Sequence, residues 1–482
     1  MKIIDNDLLS MQEARVLVEN AREAQKILMT FSQEKLDEIV EGMLEEIEKH
    51  SCELAKMSCE ETDYGKWEDK YIKNRFVCKY LSNSLSTMKC VGIIKEDKDN
   101  RPMEVGVPFG VIIALCPATS PVSTTIYKAL IAIKSGNAII FSPHPRAKNT
   151  MFKTLDILIK AAKNHGLPEG ALGYLHYLAF SGTKELINHK DTSLVMNTGV
   201  PSMLETIYKS GKKMIYGGTG HGPAFIERTA NIKQAVNDII TSKSFDNGVV
   251  SGAEQSVVVD SCVDLEVKCE FEKNGAYFMS ESEAEKLGSL LFSYDGSQDS
   301  EIIGKTAKEL AKLSGFSVQD NVKILIAERK YVFRDDPYCK EKQVPVLAYY
   351  REDDWMHACE KCIELLLSEK TGHTLVIHSN DEEVIKQFIL KKPVGRVLVN
   401  TPAVFGSMGA TTNLFPSMTL GSGSAGYGMT SDNVSPMNLI YRRKVGYGVK
   451  SSDEFLNTIN EENELDIKQL KSILESFIKE LM

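Results

Sequence analysis

Four hydroxyl residues, Thr119, Ser120, Ser123 and Thr124, follow an apolar run at 110–116 and lead into the start of a helical pattern. Backbone amides and hydroxyls at a helix N-terminus can hold phosphate, and the same groups serve as ordinary caps. Both readings fit. Location favours a nucleotide, because open α/β sheets bind ligands beyond the carboxyl ends of their strands. The first strand carries no GxGxxG, so the usual dinucleotide fingerprint is not the carrier. Gly217, Gly218, Gly220 and Gly222 crowd a second loop. Such a run makes a tight turn or lets backbone approach a ligand closely. The denser run GSGSAGYG at 421–428 suits a floor beneath a substrate, a pivot between domains, or flexible packing. His373 stands just before an apolar run, where a histidine is structural or does acid–base work. Glu254 and Glu341 each stand near the start of a segment, where a carboxylate can orient a ribose or a water.

The elements that must position these residues are legible from periodicity. Residues 10–90 read as helices. In the stretch 34–50, Leu36, Ile39, Val40, Met43, Leu44 and Ile47 share one face. From 110 onward short apolar runs alternate with helical patterns: strands near 110–116, 138–141, 193–196 and 213–216, helices at 123–136 and 150–166. Runs without polar alternation suit a parallel sheet covered on both faces. A second α/β unit follows, with strands at 256–260, 322–328, 374–379 and 396–400 and helices at 302–315 and 381–388. The run 439–448 reads as an exposed strand that pairs outside both domains. A polar linker is expected at 458–464. In the segment 465–482, Ile467, Leu470, Ile473, Leu474, Phe477, Ile478 and Leu481 form one apolar stripe. That stripe suits docking on the protein itself, on a sister subunit, or on another partner.

Composition bounds the function. The chain has 482 residues, 43% apolar and 26% charged, enough for two domains of ordinary globular type. A formal charge of -9 argues against a nucleic-acid groove across the surface. No apolar run approaches the roughly 18 residues needed to span a bilayer. The early acids leave no signal core, so a cytoplasmic location is expected. Ten scattered cysteines read as free thiols in a reducing compartment. Cys359 and Cys362 form a CxxC inside a helical, apolar context with no second ligand pair, which favours packing over metal.

Several motifs together carry a resemblance. The block 245–259, FDNGVVSGAEQSVVV, resembles the nucleophile region of coenzyme-A-acylating aldehyde dehydrogenases. So do the stretches 141–149, 232–248, 339–347, 371–374, 396–402 and 419–424. The match runs from about residue 10 to about 450, with motifs in the family's order. Similar proteins include acetaldehyde and succinate-semialdehyde dehydrogenases and the aldehyde dehydrogenase part of bifunctional aldehyde-alcohol dehydrogenases. The resemblance implies an α/β aldehyde dehydrogenase-like fold with a Rossmann-like cofactor domain, an α/β catalytic domain and small oligomerisation strands. The expected divisions are 1–237 for the NAD-binding domain with its N-terminal helices and 238–430 for the catalytic domain. A return strand at 431–457 and a linker plus amphipathic helix at 458–482 complete the chain.

The family's chemistry, as the resemblance implies it, is NAD-dependent oxidation of an aldehyde to acyl-coenzyme A through a cysteine thiolate. Ser251 occupies that nucleophile position. Ser120 stands where relatives often carry an asparagine oxyanion donor. Glu341 matches the glutamate that holds the nicotinamide ribose, and His373 matches a histidine of proton transfer or coenzyme A handling. Glu254 is a further catalytic candidate. The turn Ser142, His144, Pro145 and Arg146 matches the adenosine side, with Thr119, Gly199, Gly218 and Gly220 as further cofactor neighbours. The chain departs elsewhere too: His221 and Gly222 replace asparagine and threonine, and the tryptophan expected within 421–427 is gone. These added departures favour natural divergence over an engineered serine. A serine is a weak nucleophile without a base, and its oxygen ester is a poor acyl donor to a thiol. Very low acylating activity is therefore expected. The implied partners are a small aliphatic aldehyde, coenzyme A, and sister subunits in a dimer or tetramer. The tail at 465–482 adds a bacterial microcompartment shell as a further partner, with a location inside such a compartment. The alternative is a noncatalytic paralogue acting in binding or assembly.

Overall fold

The computed structural model describes residues 5–96, 103–218, 220–293, 296–369 and 372–482, without the side chains of 424 and 458–465. Two compact units emerge: residues up to 91 with 107–441, and residues 92–106 with 442–482.

In the larger unit the segment before residue 87 is helical, as its periodicity predicts. Helices α1 (Asn6–Leu28), α2 (Gln33–Lys49), α3 (Ser51–Thr62) and α4 (Trp67–Phe76) follow one another. Asp5 caps α1 and Ser32 caps α2 through their side-chain oxygens, satisfying amides that a helix start leaves open. All six residues expected on the apolar face of α2 are buried.

Two parallel sheets follow. The first contains β1 (Val111–Leu115), β2 (Ala138–Ser142), β3 (Leu172–Tyr174), β4 (Thr192–Thr198) and β5 (Lys213–Gly217), in the order β3-β2-β1-β4-β5. Every residue of β1 and β2 is buried, which explains their unbroken apolar sequence. Helix α5 (Pro121–Lys134) crosses from β1 to β2 and is buried along its whole length. The second sheet contains β6 (Gly222–Ile226), β7 (Glu254–Asp260), β8 (Ala276–Phe278), β9 (Ile324–Glu328), β10 (Val346–Glu352), β11 (Thr374–His378) and β12 (Arg396–Val399). Its order is β8-β9-β10-β7-β6-β11-β12. Helix α6 (Ile232–Ser244) packs on it and leads into the loop before β7.

Three sequence expectations are corrected. Strand β6, not singled out in the sequence, belongs to the second sheet, which therefore begins before residue 238. The helix expected at 302–315 covers only Ala307–Leu313, because a capping box of Thr306 and Glu309 fixes its start. The expected linker at 458–464 is helical in its backbone, within one helix from Ser452 to Leu481. Glu461, Glu462 and Glu464 there are good helix formers, so polarity alone was a poor guide to a break.

The smaller unit holds that helix and a three-stranded sheet, ordered Gly92–Glu96, Met103–Pro108 and Ile440–Val445. The strand expected near 439–448 thus pairs within its own chain. The stripe residues of the final helix are exposed, from Ile478 at 53% to Leu481 at 82%. No helix among the described residues is long and apolar enough to cross a membrane. Cys359 and Cys362 lie on the helix Trp355–Glu369, and no metal-sized group of ligands occurs among the described residues.

Candidate active site

A cleft of about 670 Å³ in the larger unit gathers loops from the ends of both sheets. From β1 and the start of α5 it takes Thr119, Ser120 and Thr124; from beyond β2, His144; from beyond β4 and β5, Gly199, Gly217 and Gly218. From the loop before β7 it takes Val249, Val250 and Ser251, and across the opening Glu341 and Glu369. Nine of the residues singled out in the sequence therefore line one cavity: Thr119, Ser120, Thr124, His144, Gly199, Gly217, Gly218, Ser251 and Glu341.

The Ser251 loop has an unusual backbone. Asp246, Asn247 and Gly248 are consecutive residues with positive φ, at 49°, 52° and 76°. Asp and Asn tolerate this conformation better than other side chains, but two in succession need support. It comes from α4. Lys70 Nζ donates to Asp246 Oδ2 at 3.0 Å and Lys73 Nζ to the same atom at 2.6 Å. The Lys66 amide donates to Asp246 Oδ1 at 2.7 Å, and the Asp246 amide donates to Asp69 Oδ2 at 2.7 Å. The three charged side chains of the cluster are buried almost completely. Burial pushes Lys73 down to about 8 against the opposing pull of Asp246.

The same cluster reaches the first sheet. Lys70 Nζ donates to the Thr119 carbonyl at 2.9 Å, and Lys73 Nζ donates to Ser120 Oγ at 2.6 Å. Ser120 occupies the N-cap position of α5, yet its side chain makes no capping bond. The hydroxyl is instead turned to Lys73. Sequence inspection missed Lys70, Lys73, Asp69 and Asp246. Two lysines at i and i+3 on the buried side of an amphipathic helix were the available signal.

On the opposite wall, Gly220 N donates to Glu341 Oε1 at 2.8 Å, and Glu341 N donates to Glu369 Oε2 at 3.1 Å. Burial drives the Glu341 carboxyl up to about 8, so it carries a proton at neutral pH. Gly220 itself does not line the cleft; a Cβ there would overlap the Ser251 carbonyl oxygen.

The remaining expected residues stand apart from the cavity surface. Glu254, at the start of β7, is buried; its Oε1 accepts from the Ala403 amide at 2.9 Å, and burial raises it to about 7. His373 is buried too, with Nδ1 2.7 Å from Thr374 Oγ1 and its carbonyl accepting from Arg396 Nη1 at 2.9 Å. Ser142 shares a hydrogen bond with Thr183 at 2.7 Å. Pro145 opens a short 3-10 turn. Arg146 pairs with Glu301 at 3.0 Å and stacks over Tyr64, whose ring lines the cleft. His221 is buried, and its ring nitrogens have no partner among the described residues. Thr371, part of the 371–374 motif, lies outside the described residues.

A family model described as the aldehyde dehydrogenase family matches residues 2–314. The chain belongs to the aldehyde dehydrogenase family. Within it, the chain falls in the coenzyme-A-acylating branch. It is 38% identical over 438 residues to the bifunctional aldehyde-alcohol dehydrogenase AdhE of Escherichia coli, covering 90% of this chain and 49% of that protein. This aldehyde dehydrogenase chain thus spans about half the length of that relative. It is 33% identical to a succinate-semialdehyde dehydrogenase (acetylating) of Clostridium kluyveri, covering 89% of this chain and 95% of the relative. A crystal structure of a probable aldehyde dehydrogenase from Listeria monocytogenes superposes with a TM-score of 0.91 at 45% identity, covering 94% of this chain and 100% of the other.

Proposed function

We propose that the chain catalyses the NAD-dependent, reversible conversion of an aldehyde and coenzyme A to an acyl-coenzyme A, slowly, because Ser251 stands at the nucleophile position. The observation that carries this reading is the convergence of Ser251, Ser120 and Glu341 on one cleft at the ends of two parallel sheets. NAD supplies the hydride acceptor and coenzyme A the thiol that receives the acyl group.

The residues present fit a dinucleotide. Gly199, Gly217 and Gly218 present backbone without side chains to the cavity, which allows a flat ring or phosphate to lie close. The neutral Glu341 carboxyl, held by the Gly220 amide, can still exchange hydrogen bonds with ribose hydroxyls without placing a charge beside them. Ser142, His144, Pro145 and Arg146 form the adenosine side of this reading, and Thr119 is a further cofactor neighbour. Ser251 attacks the carbonyl carbon. Ser120, polarised by Lys73, donates to the oxygen that becomes negative. Glu254, close to titrating at neutral pH, and His373 are the proton-handling groups; both need a movement of their loops to reach substrate. The division into a cofactor domain and a catalytic domain belongs to the same reading, with the boundary between β5 and β6 rather than at 237/238.

The test is NADH formation from a small aliphatic aldehyde with coenzyme A, beside calorimetric titration with NAD. The parent chain is expected to bind NAD and turn over slowly, and Ser251→Cys to raise the rate by roughly 10²-fold or more. Failure to bind NAD sinks the cofactor assignment. Rapid turnover by the parent sinks the assigned handicap of serine.

A second reading, in which the chain also works in assembly, is favoured by the exposed stripe on the helix Ser452–Leu481. Its partners are a sister subunit, in a dimer or tetramer, or a microcompartment shell. Removal of 452–482 with no change in sedimentation or in association with shell protein removes this reading.

A further inference from the structure

We infer that Cys359 and Lys392 form a modification site, where oxidation joins sulfur to nitrogen through one oxygen atom as a reversible S–O–N cross-link. Lys392 Nζ donates to Cys359 Sγ at 2.6 Å, and the same amine lies 3.5 Å from the Cys359 carbonyl oxygen. The contact to sulfur is shorter than an ordinary hydrogen bond to that element, and a single oxygen spans it at normal covalent lengths. Phe388 fixes the amine from another side. Nζ stands 3.9 Å over the Phe388 ring, which stacks on Phe225 of β6 at 5.2 Å. The protein itself therefore aims the amine at the sulfur. The two residues are 33 positions apart. One lies on the helix Trp355–Glu369, the other in the segment that joins the helix Glu382–Ile389 to β12. Both are half-buried, open to a molecule as small as dioxygen, and neither lines the cleft. The other cysteine of the CxxC, Cys362, is fully buried, and burial pushes its thiol up to about 12. That leaves Cys359 as the reactive member of the motif.

The step balances with dioxygen as oxidant. A proton moving along the Lys392–Cys359 hydrogen bond interconverts ammonium–thiolate and amine–thiol. The thiol then gives up its hydrogen, and the amine gives up one of its two. The bond of dioxygen breaks. One oxygen leaves with those two hydrogens as water, and the other forms the S–O and O–N bonds. Sulfur and nitrogen together lose four electrons, and dioxygen gains them. Two equivalents of a dithiol return four electrons, break both new bonds, release the oxygen as water and restore thiol and amine. The cross-link clamps the helix that brings Ser368 and Glu369 to the cleft onto the segment before β12. It needs no aldehyde, NAD or coenzyme A, so it stands or falls apart from the dehydrogenase reading.

The experiment takes the full chain, reduces it with dithiothreitol, removes the reductant and holds the protein in air-saturated buffer before digestion with trypsin. Cleavage after Lys361 places Cys359 and Cys362 on different peptides. Mass spectrometry is expected to find peptide 352–361 joined to 392–396, at their summed mass plus one oxygen less two hydrogens. Renewed dithiothreitol should separate them. Cys359→Ser and Lys392→Arg should each abolish the joined species; the arginine keeps a cation over Phe388 but offers no amine to bridge. Circular dichroism confirms that both variants are folded. The cross-linked chain should also melt above the reduced chain, because the bridge closes a loop in the unfolded state. A disulfide joining 352–361 to 362–370, a join of 352–361 to 392–396 without the added oxygen, or no join in air overturns the assignment. Equal melting of the oxidised and reduced chains overturns the clamp.

Discussion

The backbone of Gly220 passes so close to Ser251 that a Cβ at 220 would overlap the Ser251 carbonyl oxygen, while its amide holds Glu341 Oε1 at 2.8 Å. One glycine therefore spaces the Ser251 loop from the Glu341 carboxyl. Gly220→Ala is expected to push the loop out of place. In a Ser251→Cys background, where turnover is measurable, it should cost about 10²-fold in rate, the usual penalty of a misplacement near 1 Å. An unchanged rate would show that the loop gives way freely.

Asp246 is the hub of the buried charges. Replacement by Asn leaves Lys70 and Lys73 without a balancing carboxylate in an environment closed to water. Unfolding in urea should show a loss of about 3–5 kcal/mol, the range found when one partner of a buried pair is removed. A loss under 1 kcal/mol would mean that solvent enters the cluster.

Histidine burial sets the acid limit. His221 and His373 are pushed down to about 3 and His378 to about 4, in each case chiefly by burial. The unfolded chain takes up these protons near 6.5 and the folded chain does not. The stability they contribute is therefore complete above 6.5 and falls as pH drops toward 3. Each group contributes roughly 1.4 kcal/mol per pH unit within that window. His221→Asn should flatten the melting temperature's dependence on pH between 4 and 6; an identical slope would refute the role of this side chain.

For the cofactor wall, Glu341→Gln preserves an acceptor for the Gly220 amide and, at neutral pH, the same charge as the protonated acid. Its NAD affinity should stay within a few-fold of the parent, whereas Glu341→Ala should lose about tenfold, or roughly 1.4 kcal/mol. Calorimetry at pH 7 distinguishes them. Equal loss in both variants would require the ionised form.

The contrast between what was legible and what was not follows from range. Leu36, Ile39 and Val40 announced their buried face because helical period is a property of neighbours. Strands β1 and β2 announced themselves through unbroken apolar runs. Ser251 entered through motif resemblance alone, while Ser120 and Glu341 also stood out by residue type and position, and all three line the cleft. Lys70 and Lys73 did not show, since a lysine's ordinary place is the surface and only a distant aspartate justifies burying it. Strand β6 was missed because its core position depends on β7 and β11 on either side, while Gly222 and Pro223 read locally as a turn. His373 and Glu254 were named, but their depth beneath the cavity surface is a tertiary fact that spacing does not carry.

The clamp on Asp246 joins residues 173 to 176 positions apart. During synthesis the two lysines emerge long before the carboxylate that neutralises them. The helix carrying them must stay solvated at that face until the chain beyond 246 has appeared, since an uncompensated ammonium resists dehydration. The loop that carries Ser251 is thus assembled late, and a truncated product ending before 246 displays two stranded cations where the finished protein hides them.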